Sequence, residues 1–511
     1  MALASREYPY SKLAIASENP LASSIGFQIA SKGGNPIDVS IATSIALAVT
    51  IPHLGGLGGD YFALIHTPDN EVKIIMGSGQ SPAKLTLEKI HGLEEKWKSM
   101  RGPLTIVVPG MIDALYTLWR KFGSLEWRDL LTPSITIARE GFPAPPAFAY
   151  AVKRYLRVLY NDPGSRKTYL YNGPIETGQK VNYPGMARLL EILAEDPKAL
   201  YKGEIADAIE EYLQNHGGLL TKGDMKNYQA YLDEPLVLES YHGWTIYEMP
   251  PNTQGATTLH LLKLLQNTPY DPVKRLPILM EKSRIAYSVR DLYIGDTEHM
   301  TISRENLLSD TLLEETPILE KYKPNKCNPL QQPKEHDTTF HAVASKDGWY
   351  IAAIQSLYYH FGSGLTEPTY QITLNNRAIG FEPRPGLPNS LGPEKRPLHT
   401  LSAVLAQKPE SNEILVLGTS GGQYRPQQHA LMISNIIEHK MNVGQALAAT
   451  RTLWTPGTCN IVADPGVSWK DIPPGYTLTI GRTGVASAIY YKNNVLWTAT
   501  DPRGDGYPAG I

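Results

Sequence analysis

The sequence predicts an α+β fold in which a mostly helical first part and a mostly stranded last part share one layered core. Helical patterns dominate up to about residue 320, and most strand patterns follow residue 337. Between them lies a stretch rich in proline and lysine, KYKPNKCNPLQQPKEHD at 321–337, which is expected to be exposed and mobile. The strand ILVLG at 414–418 is too apolar to leave half a sheet uncovered. Both parts are therefore expected to build one core.

The first 66 residues predict two helices, a glycine-rich turn and a strand. The first helix ends at Gly33-Gly34, and Pro36 opens a second helix whose surface is apolar almost all the way round, so full burial is expected. GGLGGDYFALIH then turns into a strand. A dinucleotide-binding glycine motif follows a strand and opens a helix, which is the reverse order. A nucleotide-binding role is therefore disfavoured.

Further elements follow from periodicity and turn residues. GEIADAIEEYLQNHGG predicts a helix that stops at Gly217, and TKGD at 221–224 predicts the cap of another. After residue 337 the alternation predicts a series of strands, with KNN as a hairpin turn between the last two: TTFHAVAS, WYIAAIQSL, TYQITLNN, ILVLG, YTLTIG, ASAIYY and VLWTAT.

Composition and charge limit the class of protein. A hydrophobic content of 42% with 19% charged residues is typical of a compact globular chain. The net charge of −2 gives no reason to expect a nucleic acid or an anionic membrane as partner. MALASREYPYSK does not resemble a signal peptide, and the longest apolar run, residues 39–51, is too short to span a bilayer. A cytoplasmic enzyme is therefore expected.

The two cysteines, Cys327 and Cys459, lie far apart in the sequence and form no CxxC pair. This spacing excludes a zinc ribbon and a disulfide-stapled secreted scaffold. Two separate thiols are expected, with a bridge between them as the alternative.

The hairpin at 338–357 contains the first candidate for chemistry. A turn centred on Asp347 pairs Thr338 with Ser356, at the strand end that adjoins the mobile stretch. If the Asp337–Thr338 bond breaks, the new α-amine, with a pKa of about 8, can act as base for the threonine's own Oγ. The break can be intramolecular, through attack of Oγ on the Asp337 carbonyl. The alternative is an ordinary Thr–Ser cross-strand pair.

A second candidate is GTSGGQYRPQQH at 418–429, which lies between the strand ILVLG and a predicted helix. The backbone N–H groups of Gly421 and Gly422 could stabilise an oxyanion there. The same segment fits G-x-S-x-G, a serine-hydrolase nucleophile elbow centred on Ser420. After Ser420 the only histidines are His429 and His439, and no acid stands between Ser420 and His429, so this alternative is disfavoured.

Motifs along nearly the whole chain resemble those of the γ-glutamyltranspeptidase family of N-terminal nucleophile hydrolases. Their order and number carry the resemblance: NPLASSIGFQIASKGGNPIDVSIATSIALAVTIPHLGGLGGDYF, VPGMIDALYTLWRKFG, GEIADAIEEYLQNHGGLLTKGDMKNYQA, EMPPNTQGATTL, DTTFHAVASKDG, FGSG, LNNR, KRPLHTLSAV, GTSGGQYRPQQH and DPRGDGYPAG.

The resemblance implies a precursor that cuts itself at Asp337–Thr338. The products would be a large α-rich subunit, 1–337, and a small β-rich catalytic subunit, 338–511, intertwined in one globular unit; a dimer of these is left open. It further implies a four-layer αββα sandwich and no metal or organic cofactor. In that family's terms, Thr338 is the nucleophile, Ser356 assists it, and Gly421 and Gly422 form the oxyanion pair.

Several positions that would hold a γ-glutamyl group depart from the family pattern. Ser78 stands where the family has a carboxylate-binding arginine, and Gly380 where it has an acid for the substrate's amino group. The remaining departures, which we take as candidate substrate-binding residues, are Tyr358, Arg377, His399 and Thr400. Arg377 and His399 could hold a different acid. The alternatives are a surface arginine and a satisfied core histidine.

The sequence thus predicts an autoprocessing threonine-nucleophile amidohydrolase that acts on a small acidic substrate through an acyl-enzyme, in the branch with oxamate amidohydrolases and acylases. Two alternatives remain open. One is a true γ-glutamyl hydrolase or transferase acting on glutathione-like substrates. The other is an uncleaved, non-catalytic binding protein.

Overall fold

The computed structural model describes residues 4–171, 173–266, 268, 275–324 and 338–511. Asp337 and Cys327, and with them most of the predicted mobile stretch, lie outside the described residues. Cys459 is disulfide-bonded, so the prediction of two separate thiols is wrong.

Two seven-stranded antiparallel sheets form the centre of the molecule. The first sheet, in spatial order, consists of β1 (Glu7–Tyr10), β20 (Val495–Thr500), β19 (Ala486–Lys492), β15 (Glu413–Thr419), β14 (Val404–Lys408), β9 (Trp244–Glu248) and β8 (Leu236–Tyr241). The second consists of β21 (Ala509–Gly510), β2 (Leu13–Ser17), β10 (Thr339–Ser345), β11 (Tyr350–Ser356), β3 (Asp60–His66), β4 (Val72–Gly77) and β7 (Tyr231–Asp233).

Shorter strands and the helices complete the fold. The short strands are β5 (Phe142–Pro143), β6 (Lys180–Val181), β12 (Thr366–Glu367), β13 (Ile372–Thr373), β16 (Thr452–Trp454), β17 (Asn460–Ala463) and β18 (Thr477–Ile480). The helices are α1 (Pro20–Ser31), α2 (Pro36–Thr50), α3 (Pro52–Gly55), α4 (Glu94–Trp97), α5 (Met111–Phe122), α6 (Trp127–Glu140), α7 (Pro146–Arg154), α8 (Leu156–Tyr160), α9 (Pro163–Tyr169), α10 (Pro184–Glu195), α11 (Glu204–Asn215), α12 (Lys222–Lys226), α13 (Gly255–Gln266), α14 (Arg275–Tyr293), α15 (Asp310–Glu315), α16 (Arg425–Ile437) and α17 (Val443–Ala448).

Three apolar clusters give the molecule four layers. The inner faces of the two sheets pack against each other through side chains such as Phe62, Phe340 and Val416. The outer face of the second sheet packs on helices that include α1, α2, α5, α6, α10 and α11. The outer face of the first sheet packs on α13, α16 and α17. This is the αββα sandwich that the resemblance implied, and the predicted α+β class is confirmed.

Strands from both parts of the chain alternate within the sheets. In the second sheet, β10 and β11 lie between β2 and β3, and in the first sheet β14 and β15 lie between β9 and β19. Residues before and after 338 therefore share one core, as the apolar strand ILVLG indicated.

Most predicted elements are confirmed. All 15 residues of α2 are buried, and Thr221 forms a capping box with Asp224 at the start of α12. The hairpin register is also confirmed, since Thr339 faces Gln355. TYQITLNN does not form one strand: it contains the short strand β13 (Ile372–Thr373) and an isolated bridge from Leu374 to Gly58. β7, β8 and β9 interrupt the region predicted as helical. In the described part of the chain, no helix has the length and apolarity to cross a bilayer.

Candidate active site

Thr338 directly precedes β10 and is 1% exposed. The hairpin register places it beside Ser356, the last residue of β11, which in turn pairs with Asp60 on β3. The Ser356 hydroxyl accepts a hydrogen bond of 2.8 Å from the backbone N–H of Tyr358. That bond fixes the Ser356 oxygen at the strand end, next to the threonine, as the sequence predicted.

The Gly421–Gly422 turn follows β15, whose end lies against the start of β10. A Cβ atom on Gly418 would fall 2.2 Å from the Phe340 ring, so the two sheets approach closely here. At Gly421 a Cβ would fall 2.2 Å from Oε1 of Gln428, and Gly422 has a φ of +52°, which favours glycine. The turn therefore needs both glycines, and it opens directly into α16.

Buried polar side chains of α16 form hydrogen bonds to the end of β15, just before this turn. The Arg425 Nε donates to the Thr419 carbonyl at 2.7 Å, and the Thr419 hydroxyl donates to Gln428 Oε1 at 2.9 Å. His429 Nδ1 lies 3.0 Å from Glu248, and both side chains are fully buried. Burial raises the pKa of Glu248 to about 8. The RPQQH part of the motif is thus a support for the turn.

The Ser420 alternative does not fit this geometry. The Ser420 hydroxyl bonds to the backbone of Val485, at 3.3 Å to its carbonyl and 2.9 Å from its N–H. His429 uses its Nδ1 for Glu248. Within the part of the chain that the structure describes, no histidine pairs with Ser420 as in a serine hydrolase.

Replacing Ser420 by alanine should therefore leave amide turnover within about threefold of wild type. The hydroxyl makes only local backbone bonds, whose loss is worth about 1 kcal/mol of folding stability. Steady-state kinetics and thermal unfolding of the purified variant check this. A loss of activity of a thousandfold or more would restore Ser420 as a nucleophile.

Arg377 is fully buried, so the surface alternative for it is wrong. Its Nε donates to Asp60 Oδ2 at 2.8 Å, and the Tyr358 ring lies 4.5 Å from the guanidinium carbon. Among the described residues, neither Nη1 nor Nη2 has a hydrogen-bond partner. Burial raises the pKa of Asp60, although the arginine opposes the shift. The guanidinium thus holds two donor nitrogens in a fully buried site, an arrangement suited to a carboxylate.

His399 is fully buried beside this arginine. Its Nε2 lies 2.8 Å from the Ser78 hydroxyl, which also accepts from Asn252 Nδ2 at 2.9 Å. Because the Asn252 amide donates to the Ser78 oxygen, the Ser78 hydroxyl can donate to Nε2 of His399, and in that tautomer the histidine proton is on Nδ1. Burial, and then the Arg377 charge, hold the pKa of His399 well below its usual value. Nδ1 has no partner among the described residues, so the satisfied-core alternative is wrong for this atom.

A cleft of about 1250 Å³ lies beside Arg377 and His399, neither of which lines it. Tyr358, Thr400 and Gly380 line it, together with Gln423 from the turn. Lys98 also lines the cleft, and its ammonium donates to the Gly380 carbonyl at 3.1 Å. Burial lowers the pKa of Lys98 to about 8. A cation therefore stands at the position where the family pattern has an acid.

The structure brings the predicted residues into one neighbourhood at the strand ends, with Thr338 and Ser356 on one sheet and the Gly421–Gly422 turn on the other. Three members of the site were missed. Asp60 and Asn252 were not recognised as partners of the arginine and the serine, and Gln254, described below, was not singled out. The one available signal was an acid or amide within an otherwise apolar, buried segment.

The four-layer sandwich, with its candidate site at the strand ends, is the fold of N-terminal nucleophile hydrolases, and the chain is an enzyme of this type. The sequence profile described as Gamma-glutamyltranspeptidase matches residues 22–511. The chain belongs to the gamma-glutamyltranspeptidase family.

Three comparisons illustrate the relationship. The chain is similar to the Glutathione hydrolase-like YwrD proenzyme of Bacillus subtilis, at 30% identity over 98% of both chains. It is similar to the Oxamate amidohydrolase proenzyme of Klebsiella pneumoniae, at 28% identity over 96% of this chain and 97% of the relative. Its fold matches that of the cephalosporin acylase from Bacillus halodurans with a TM-score of 0.87 and 29% identity, over 99% of this chain and 97% of that one.

Proposed function

We propose that this chain is an autoprocessing amidohydrolase with Thr338 as its nucleophile, acting on a small acidic amide through an acyl-enzyme. The single observation that carries the proposal is the position of Thr338. It lies buried at the start of a central strand, beside Ser356 and at the sheet end that meets the Gly421–Gly422 turn. The names of the relatives as proenzymes support processing of a precursor.

Self-cleavage would begin with attack of Thr338 Oγ on the carbonyl carbon of residue 337. The carbonyl carbon's bond to the threonine nitrogen breaks, and that nitrogen leaves as the new α-amine. Water then hydrolyses the ester, which frees the hydroxyl and the carboxylate. Two subunits, 1–337 and 338–511, would remain folded together.

In turnover, the α-amine of Thr338 would take the proton of Oγ as that oxygen attacks the substrate's amide carbon. Ser356 lies beside it, with its hydroxyl oxygen fixed by the Tyr358 N–H. The N–H groups of Gly421 and Gly422 would stabilise the oxyanion of the tetrahedral intermediate. The amine proton then passes to the leaving nitrogen, and water releases the acid from the ester.

The proposal that the substrate carries a carboxylate rests on the buried donors of Arg377 and His399 that have no partner among the described residues. Arg377 offers Nη1 and Nη2, and His399 offers Nδ1–H, all buried and without partners among the described residues. Charge-assisted bonds to a carboxylate would use all three. Tyr358 and Thr400 would form the wall between this carboxylate and the cleft.

A γ-glutamyl donor is the less favoured candidate. Its amino group would need an acceptor near Gly380, where Lys98 already donates to the carbonyl. Turnover of γ-glutamyl-p-nitroanilide at the rate of glutaryl-p-nitroanilide, which lacks only the amino group, would favour it. A non-catalytic binding protein would turn over neither compound.

An acyl-enzyme should be trapped on the fragment that begins at Thr338. We expect acid quenching during turnover of glutaryl-p-nitroanilide to add the mass of one glutaryl group to fragment 338–511 and none to fragment 1–337. Intact-mass spectrometry of the two fragments measures this. An adduct on the larger fragment would contradict the proposal. So would turnover of a range of dicarboxylic mono-p-nitroanilides with no adduct on either fragment and no initial burst of p-nitroaniline.

A further inference from the structure

The NTQG segment at 252–255 contains a glutamine to which the proposed mechanism gives no role. Gln254 directly precedes α13 and is fully buried. Its backbone N–H donates to the His399 carbonyl at 3.0 Å, and the neighbouring Thr253 bridges to His399. The backbone of Gln254 is therefore held against His399, one of the candidate substrate-binding residues.

The Gln254 side chain binds the oxyanion turn directly. Its Nε2 donates to the Gly422 carbonyl at 2.8 Å and to the Thr400 carbonyl at 2.8 Å, which uses both amide hydrogens. Its Oε1 accepts from Arg290 Nη1 at 3.2 Å. The amide is thus oriented by the arginine, so that the nitrogen must face the two carbonyls.

Arg290 is held in turn by its own neighbours. Its Nε donates to Asp291 Oδ1 at 2.7 Å, and Asp291 Oδ2 accepts from the Tyr322 hydroxyl at 2.6 Å. Arg290 Nη1 also donates to Oε1 of Gln423, at 2.5 Å. Arg290, which is 5% exposed, therefore orients the side-chain amides of both Gln254 and Gln423.

We infer that Gln254, oriented by Arg290, is a positioning residue that fixes the Gly422–Gln423 peptide and so holds the oxyanion turn in its conformation. The inference rests on the proposed function. The peptide plane before Gly422 is fixed by Tyr424, whose N–H donates to the Gly421 carbonyl at 3.0 Å. That plane carries the Gly422 N–H. The next plane, which carries the Gly422 carbonyl and the Gln423 N–H, is fixed by Gln254. Since glycine has little conformational preference of its own, the second plane needs this external bond.

Replacing Gln254 by glutamate tests the inference with almost no change in shape. The carboxylate keeps the contact to Arg290 but cannot donate to the Gly422 and Thr400 carbonyls. We expect kcat for glutaryl-p-nitroanilide to fall roughly 10- to 100-fold and KM to change less than about threefold. Affinity for 3-carboxypropylboronic acid, whose tetrahedral adduct places an oxygen at the oxyanion position, should fall in the same proportion.

Gln266→Glu is the matched control, because Gln266 lies on the same helix α13 and also donates to a backbone carbonyl, that of Ser240, away from the site. It should behave as wild type. If Gln254→Glu does not fold, Gln254→Met, which removes the donor without a charge, carries the same expectation. A kcat equal to wild type, or a rise in KM at constant kcat, would overturn the inference while the proposed function stands. If the wild type neither hydrolyses an amide nor binds the boronic acid, both the inference on Gln254 and the proposed function are wrong.

Discussion

Thr338→Ala will remain a single uncut chain without amide hydrolase activity, whereas the wild type will separate into fragments 1–337 and 338–511 on denaturing electrophoresis. The reason is that Oγ of Thr338 is required twice, once to cut the bond before it and once to attack the substrate. Loss of a nucleophile costs about 10⁶-fold in rate in hydrolases of known mechanism. Intact-mass spectrometry of both proteins, with p-nitroanilide assays, measures the two effects.

Two controls sharpen this test. Thr339→Ala removes a buried hydroxyl one residue further along β10 and should still be cut. Thr338→Ser keeps a hydroxyl and should cut itself, more slowly. An uncut wild type would exclude self-activation and favour the binding-protein alternative, and a cut Thr338→Ala chain would place the nucleophile elsewhere.

Arg377→Gln will remove the preference for a carboxylate-bearing acyl group. For wild type we expect glutaryl-p-nitroanilide to be preferred over pentanoyl-p-nitroanilide, which has a methyl group in place of the carboxylate. Charge-assisted bonds to Nη1 and Nη2 are worth about 1.5–3 kcal/mol each, so the loss of both should lower the kcat/KM ratio of the two compounds roughly 10²- to 10⁴-fold. Steady-state kinetics with both compounds measures the ratio.

The same substitution also leaves Asp60 buried without its ion-pair partner, which costs about 3–5 kcal/mol of stability. The double variant Asp60→Asn/Arg377→Gln removes both charges and should regain most of the thermal stability without regaining the preference. If the double variant still prefers the glutaryl compound, the carboxylate is held elsewhere. If stability and preference return together, the arginine has only a structural role.

The fold was predictable where local pattern and burial agree. The apolar α2, the capping box at Thr221 and the register through Thr339 and Gln355 all follow from residues close in sequence. TYQITLNN was overestimated as a strand because most of the segment is buried in a loop, where Ile372 and Thr373 form a short strand and Leu374 an isolated bridge. The strands β8 and β9 were missed because the surrounding sequence is helical.

The candidate site was predictable only in its nucleophile and its turn. Thr338, Ser356 and the glycine pair stand out by turn chemistry and by resemblance. The partners of these groups come from distant segments: Asp60 pairs with Arg377, and Asn252 and Ser78 meet at His399. A single sequence carries no signal for such long-range hydrogen bonds, since each partner is an ordinary polar residue in its own segment.

The alternation of strands within the two sheets has a consequence for how the molecule is made. β10 and β11 lie between β2 and β3 in the second sheet, and in the first sheet β20, β19, β15 and β14 lie between β1 and β9. Neither the stretch before residue 338 nor the stretch after it can therefore complete a sheet by itself. Separately synthesised halves would each expose unpaired strand edges and would aggregate before they met. The gene consequently cannot be divided at this point, and folding of the intact polypeptide must precede any cut.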